Sequence, residues 1–351
     1  MTDEHRNRLF GRHGRSTGNA EASPAVAAEA PAAAPTRPLR VLAVDGGGIR
    51  GIIPAMVLAE IERRTGKPGS ELFDLIAGTS TGGIIALGLV LPGPDGRPVF
   101  TAEDGIRIYE EKGGVIFTAA HHKRMQTLGS LLHEKYPVTG LEEVLAEEFG
   151  SAMLSDALTP VLVTSYELGR RETFIFSSRA AKADAMADFP MRVAARATSA
   201  APTFFEPALV EDAGGHRHVF IDGAVFANNP AMCAFAEVEA THPGSDLTMV
   251  SIGAGALTQG FDWDVVKTWG AAQWARPILN IVLDGASQVT DAQLAELLGP
   301  DRYFRFQLSL DKGDQELDNA RPENIRHLKQ QASAMIARNS ARLDAVCELL
   351  V

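Results

Sequence analysis

The chain has 351 residues, 45% hydrophobic and 22% charged, enough apolar material for a sizeable core in one large domain or two modest ones. Its 33 basic and 44 acidic residues give a net charge of −11; this argues against nucleic acid as the main ligand, which would need a basic excess, and disfavours purely electrostatic docking on anionic lipid. Two cysteines, Cys233 and Cys347, lie far apart without metal-ligand spacing, which argues against a disulfide framework or zinc ribbon and fits a reducing cytosol.

The N-terminus MTDEHRNRLFGRHGRSTG has no apolar signal core, and no uninterrupted apolar run approaches the roughly 18 residues of a bilayer span. A cytoplasmic protein is expected, at most peripheral at the inner face of the membrane. Residues 19–38, NAEASPAVAAEAPAAAPTRP, carry too few large apolar groups to offset the entropy of ordering. Residues 1–38 are therefore read as a disordered tail and 39–351 as the folded domain.

From Leu39 strands and helices alternate: LRVLAV, IIPAMVLAEIERR, FDLIAG and TGGIIALGLV, each bounded by Gly or Pro. This pattern predicts a largely parallel sheet with helices on its faces. Thr101 with Asp104, and Thr139 with Glu142, read as capping boxes opening two helices. PVLVTSY and ETFIFS predict a hairpin at a sheet edge. A helix over PMRVAARATSA, strand HVFID, helix PAMCAFAEVEA and strands TMVSIG and YFRFQLSL follow, and apolar groups from Ile325 to Val346 recur at helical period. No repeat and no later linker marks a second domain.

Three stretches carry the chemistry. LAVDGGGIRG places Gly46, Gly48 and Gly51 at dinucleotide-binding spacing, but the same turn suits any anion that meets backbone N–H groups, including a developing oxyanion. GTSTGG ends the next strand and contains G-x-S-x-G centred on Ser80, a nucleophile elbow whose glycines clear space for the turn. The two turns should converge at the carboxyl ends of neighbouring strands, where the N–H groups of Gly47 and Gly48 would face the tetrahedral oxyanion. The nucleotide alternative lacks an acidic residue in the usual ribose-binding register.

FIDGAVFANNP supplies Asp222 at a strand end, as general base for Ser80 or, alternatively, as a helix cap. A Ser-His-Asp esterase is the rival arrangement. His218 lies four extended residues, about 13 Å, from Asp222; His242 sits at the wrong strand end, His327 on the C-terminal helix, and His121, His122 and His133 precede Asp222, against hydrolase order. The histidines are read as mostly solvent-facing. The run His121–Arg124 reads as a solvated face, with a local membrane patch as its rival. Trp263, Trp269 and Trp274 crowd together with Phe261, as a buried helix or as an interfacial docking surface or lid.

DGGGIRG, GTSTGG and DGAVFANNP, in this order, together with LSDALTPVLVTSYEL and ATSAAPTFFEP, resemble the signature blocks of the patatin-like phospholipases, from about Leu39 to the C-terminal helix. The resemblance implies a three-layer α/β/α fold with a central mostly parallel sheet and a phospholipase or lipid acyl hydrolase activity of phospholipase A type on membrane phospholipid. It implies a Ser80/Asp222 dyad, an oxyanion loop of Gly46, Gly47 and Gly48, and an Arg50 that steadies that loop or meets phosphate. Thr81, Pro202 and Phe204, with Phe205, would contact substrate. Asp222-Gly223-Ala224 departs from the commoner Asp-Gly-Gly without removing a reacting group. No metal or organic cofactor is implied. Similar bacterial enzymes act as antiphage effectors switched by cyclic nucleotides, so a cyclic-nucleotide activator is a partner the resemblance suggests; a binding module with a silent pocket is the non-enzymatic alternative.

Overall fold

The computed structural model describes residues 37–117, 136–257, 260–274, 277–310 and 316–351. The Ala/Pro-rich tail through residue 36, the basic run His121–Arg124 and His133 lie outside the described residues.

Eight strands among the described residues form one mixed sheet: β1 (Leu39–Val44), β2 (Leu75–Thr79), β3 (Val161–Glu167), β4 (Glu172–Ser177), β5 (Ala208–Glu211), β6 (Arg217–Asp222), β7 (Leu247–Ile252) and β8 (Tyr303–Phe306). They run in the order β5-β6-β3-β2-β1-β7-β8, with β4 also paired to β3. β3, β2, β1, β7 and β8 are mutually parallel. The expected hairpin forms between β3 and β4, but β3 is interior because its other edge is occupied as well.

Side-chain alternation along the strands separates two cores, as the period of two requires. Leu42, Val44, Ile76 and Val163 face one way, against α1 (Ile52–Thr65), α2 (Thr81–Leu89), α3 (Ala102–Ile116), α4 (Thr139–Phe149) and α5 (Met191–Thr198). Val41, Ala43, Ala77 and Leu162 face the other way, against α6 (Ala231–Thr241) and the buried Leu294 of α7 (Pro277–Leu298). This is the three-layer α/β/α arrangement. The C-terminal helical period resolves into α8 (Pro322–Arg338) and α9 (Ser340–Leu350), which join the first core through Ile325, Leu328, Leu343 and Val346.

The Thr101–Asp104 capping box is formed in full. The Thr139–Glu142 box is not: α4 begins at Thr139 itself, with Val138 at the cap, and Glu142 reaches Arg196 at 3.1 Å instead. Neither β5 nor α7 is anticipated by the sequence pattern.

The sheet places the site through an unusual sharing of β3. One edge carries β4 from Leu162 to Glu167. The other edge is divided, β2 running parallel over Val161–Thr164 and β6 antiparallel over Ser165–Glu167. Thr79 therefore pairs with Thr164 while Asp222 pairs with the next residue, Ser165. Two strands of opposite direction end head to head on one edge.

Candidate active site

β2, Leu75–Thr79, is buried throughout, as a central parallel strand must be. Ser80 follows it with φ 54° and ψ −126°, in the positive-φ region that costs an L-residue about 1–3 kcal/mol. The flanking glycines make this turn available: a Cβ on Gly78 would lie 2.2 Å from the Gly82 carbonyl oxygen, and one on Gly82 would lie 2.2 Å from that of Val44. The Ser80 N–H donates to Thr198 Oγ1 at 2.8 Å, so the backbone at the turn is tied down while the hydroxyl remains available.

Asp222 is buried at the end of β6 and lines the same cavity as Ser80, whose side chain is near enough to stabilise the carboxylate. Oδ1 also accepts the Ala224 N–H at 2.8 Å, so the same carboxylate caps the short helix Ala224–Ala227. Burial pushes its pKa up to about 7, with the nearby Ser80 side chain and the Ala224 N–H holding back part of the rise. Gly223 is required by close approach, since a Cβ there would meet Thr164 Oγ1 at 2.2 Å.

The glycine turn after β1 divides its tasks. Gly46 N–H donates to the Asn228 carbonyl at 3.0 Å. With its N–H so paired, Gly46 belongs to the loop by its size, because a Cβ would lie 2.6 Å from Asn228 Oδ1 and 3.2 Å from Ser80 Cβ. No acceptor among the described residues takes the N–H of Gly47 or Gly48, and both residues line the cavity beside Ser80. Gly48 needs its left-handed φ of 58°, and a Cβ there would meet the Leu317 carbonyl oxygen at 2.1 Å.

Behind the turn Asp45 is buried in an ion pair with Arg305 of β8, the guanidinium spanning both carboxylate oxygens at 2.9 and 2.5 Å and reaching Ser251 Oγ at 2.8 Å. Burial opposes the Arg305 charge, but Asp45 outweighs it and raises the pKa above the usual arginine range. Arg305 and Thr198 are the positioning residues that sequence reading misses. Arg305 lies in a strand that was recognised, but its partner sits 260 residues away.

Arg50 is buried rather than exposed at the helix start. Its Nε donates to the Gly47 carbonyl at 3.3 Å, its Nη1 has no partner among the described residues, and burial draws its pKa down to about 10 although Asp284 of α7 opposes the fall. Thr81 Oγ1 is paired with the Tyr109 hydroxyl, which makes this side chain part of the wall. Pro202, Phe204 and Phe205 line the same cavity as Ser80 and Asp222. The cavity holds about 190 Å³, with Ile84, Ile116, Phe117 and Leu141 among its apolar lining and Asn280, Asp284, Ser287, Gln288 and Asp291 of α7 among its polar lining.

Among the described residues no histidine lines this cavity. His218 is buried, against the expectation of a solvent-facing ring, because it stacks on Phe220 at 5.6 Å and meets Asp212 Oδ2 at 3.2 Å. The tryptophan segment is not a buried helix: Trp263 is 73% exposed, Trp274 is also exposed and only Trp269 is half-buried.

A Patatin-like phospholipase family model matches residues 42–235, from β1 through Asp222 and into α6. Patatin-like protein 1 of Oryza sativa subsp. indica is 32% identical over 352 aligned positions, covering 90% of this chain and 85% of that protein. Patatin-like protein 2 of Arabidopsis thaliana is 31% identical, covering 88% of this chain and 85% of that protein. The crystal structure of VipD from Legionella pneumophila matches with a TM-score of 0.40 at 12% identity, over 86% of this chain and 68% of that one, a likeness too distant to bear on the site.

Proposed function

Because this chain belongs to the patatin-like phospholipase family, we propose that it hydrolyses fatty-acid esters of membrane phospholipids, as a phospholipase A, through a Ser80/Asp222 dyad. The observation that supports this reading is the head-to-head ending of β2 and β6, with Ser80 and Asp222 lining one cavity beside two backbone N–H groups, those of Gly47 and Gly48, that no acceptor among the described residues takes.

In the first step Ser80 Oγ attacks the ester carbonyl carbon and its proton passes to Asp222. The carbonyl oxygen becomes an oxyanion facing the N–H groups of Gly47 and Gly48, fixed dipoles that need no reorganisation as charge develops. Arg50, held beside Gly47, adds positive potential at the same end of the cavity. Asp222 returns its proton to the departing alcohol of the lysolipid, leaving the acyl group on Ser80. Water then attacks the acyl-enzyme, gives a proton to Asp222, and the fatty acid leaves as Ser80 recovers that proton. A carboxylate with a pKa of about 7 can both take and return a proton near neutrality. The apolar lining, with Phe204 and Phe205, suits an acyl chain.

Ser80→Ala and Asp222→Asn each abolish fatty-acid release from phospholipid liposomes, whereas every single His→Ala variant retains it. A folded histidine variant without activity would establish a triad instead. A fluorophosphonate probe labels Ser80 in the wild type; its failure would favour the silent binding module.

The nucleotide reading is weakened by Leu317, whose carbonyl takes the Ile49 N–H at 2.8 Å and occupies the ground ahead of α1 where a pyrophosphate would sit. The role of an antiphage effector with a cyclic-nucleotide activator rests on resemblance alone, and liposome hydrolysis with and without a panel of cyclic nucleotides tests it. No helix among the described residues is long and apolar enough to cross a membrane; contact with a bilayer, if made from the cytoplasm, is peripheral.

A further inference from the structure

The first half of α7 is inside out. Its positions 280, 283, 284, 287, 288 and 291, at helical spacing, line the cavity with Asn, Leu, Asp, Ser, Gln and Asp, a face that is polar at every position but Leu283. The opposite stripe, Ile278, Ile281, Val282 and Val289, faces outward and is 39–56% exposed. A globular helix ordinarily does the reverse, burying its apolar stripe and wetting its polar one. Further along, Leu294 is fully buried with Gln293 and Glu296 exposed, and Leu297 is the one large apolar side chain there that is still exposed.

Between Pro277 and Thr290 the only charged residue is Asp284, which is half-buried on the cavity side and feels Arg50. The outward stripe therefore offers neither charge nor side-chain hydrogen-bonding group. Ahead of it in the chain, Phe261 and Trp263 are exposed as well, and Trp269 stands edge-on between Phe261 and Trp274 at 5.2 and 5.0 Å.

We propose that the outer face of Pro277–Val289, with the aromatic segment before it, is the surface by which this protein docks on a lipid bilayer. The inference deepens the proposed reaction and rests on that reading for its choice of occupant. A bilayer laid against α7 meets the outer side of a helix whose inner side is the cavity wall, so docking and substrate entry share one element. The aliphatic stripe matches acyl chains, and tryptophan suits the boundary between acyl chains and headgroups. With a net charge of −11, attraction to anionic lipid is not the driving force, so the uncharged stripe of α7 is the part that inserts into a zwitterionic surface, while the aromatic segment, which also carries exposed Asp262, Asp264 and Lys267, lies at its polar boundary.

The test uses the full chain and phosphatidylcholine vesicles. Wild type and Ser80→Ala float with the vesicles, and 0.5 M salt (roughly a threefold to fourfold shorter Debye length than dilute buffer) does not release them. Ile281→Asp with Val289→Asp lowers vesicle binding and vesicle hydrolysis at least about tenfold, whereas p-nitrophenyl butyrate hydrolysis stays within about twofold. Trp263→Ala, a deletion rather than a charge, gives a smaller loss in the same direction. Unchanged flotation of the double variant overturns the proposal, as does a parallel loss of soluble-ester activity in both variants. A lipid-free wild type of twice the variant's mass by light scattering would make the face an interface between copies and overturn it too. Persistent ester hydrolysis by Ser80→Ala would instead sink the dyad and leave the docking result standing.

Discussion

The turns after β1 and β2 are both glycine-rich, and both leave the carboxyl edge of adjacent parallel strands, yet they present opposite parts of the chain to the cavity. After β2 the side chain is offered and the backbone is tied, Ser80 sharing the cavity with Asp222 while its N–H is held by Thr198. After β1 the backbone is offered and the side chain is tied, Gly47 and Gly48 leaving their N–H groups free while Asp45 turns away to Arg305. Glycine means different things in the two places. In the first turn Gly48 is needed for its left-handed φ and its contact with Leu317; in the second Gly78 and Gly82 only make room for a serine that bears the strain itself.

If the reacting side chain and the stabilising backbone are separate contributions, breaking them should have graded effects. Removing the dyad comes first: Ser80→Ala or Asp222→Asn should lower kcat/KM by about a thousandfold to ten-thousandfold. In the wild type, kcat/KM for a soluble ester should rise with pH through about 7 as Asp222 loses its proton, and a flat profile from pH 5 to 9 would refute its role as base. Stability should run the other way. The folded pKa lies above the ordinary value near 3.9, so the contribution of Asp222 is fully present below pH 4 and is lost as pH rises through about 7. Asp222→Asn should therefore be more stable than wild type at pH 8, by roughly 2–4 kcal/mol in denaturant titrations, and gain nothing at pH 4.

Disturbing the donor backbone should cost less. Gly48→Ala strains a left-handed position against Leu317 and should reduce kcat about tenfold to several hundredfold while Ser80 still reacts with a fluorophosphonate. Smaller again is the support behind that backbone. Arg305→Lys keeps the charge but not the two-pronged grip on Asp45, and should lower kcat about tenfold with KM unchanged. Asp45→Asn with Arg305→Met should recover stability, because no charge is left buried and alone, without recovering kcat. The mildest change is Thr198→Val, which frees the Ser80 N–H and should cost about threefold to tenfold in kcat, with Thr198→Ser restoring it.

The parts of the fold legible in the sequence were those governed by local rules. β1, β2 and β3 are short apolar runs ended by Gly or a turn, and the Thr101–Asp104 box is a contact within one helical turn. The convergence of the two glycine turns followed from parallel neighbours, and Val44 does pair with Gly78. What escaped depends on partners distant in the chain. Glu142 abandons its cap for Arg196, and Gly46 spends its N–H on Asn228, which no spacing rule reveals. α7 escaped for another reason: its apolar stripe turns away from the core, and Gly285 with several β-branched residues weakens the helical pattern. His218 departs from a solvent-facing reading because its burial comes from Phe220 and Asp212, neither of which announces a histidine partner.

The divided edge of β3 also determines which lengths of chain are free to vary. Between Ser80 and Asp222 the polypeptide travels through several helices and a hairpin, but the spacing that matters is a single step from Thr164 to Ser165, about 3.3 Å of one strand. β3 serves as a ruler held against both reacting ends. Insertions in the surface excursions beyond Leu89 leave that ruler unmarked, whereas a bulge at Thr164 would lengthen it and part the pair without touching either residue.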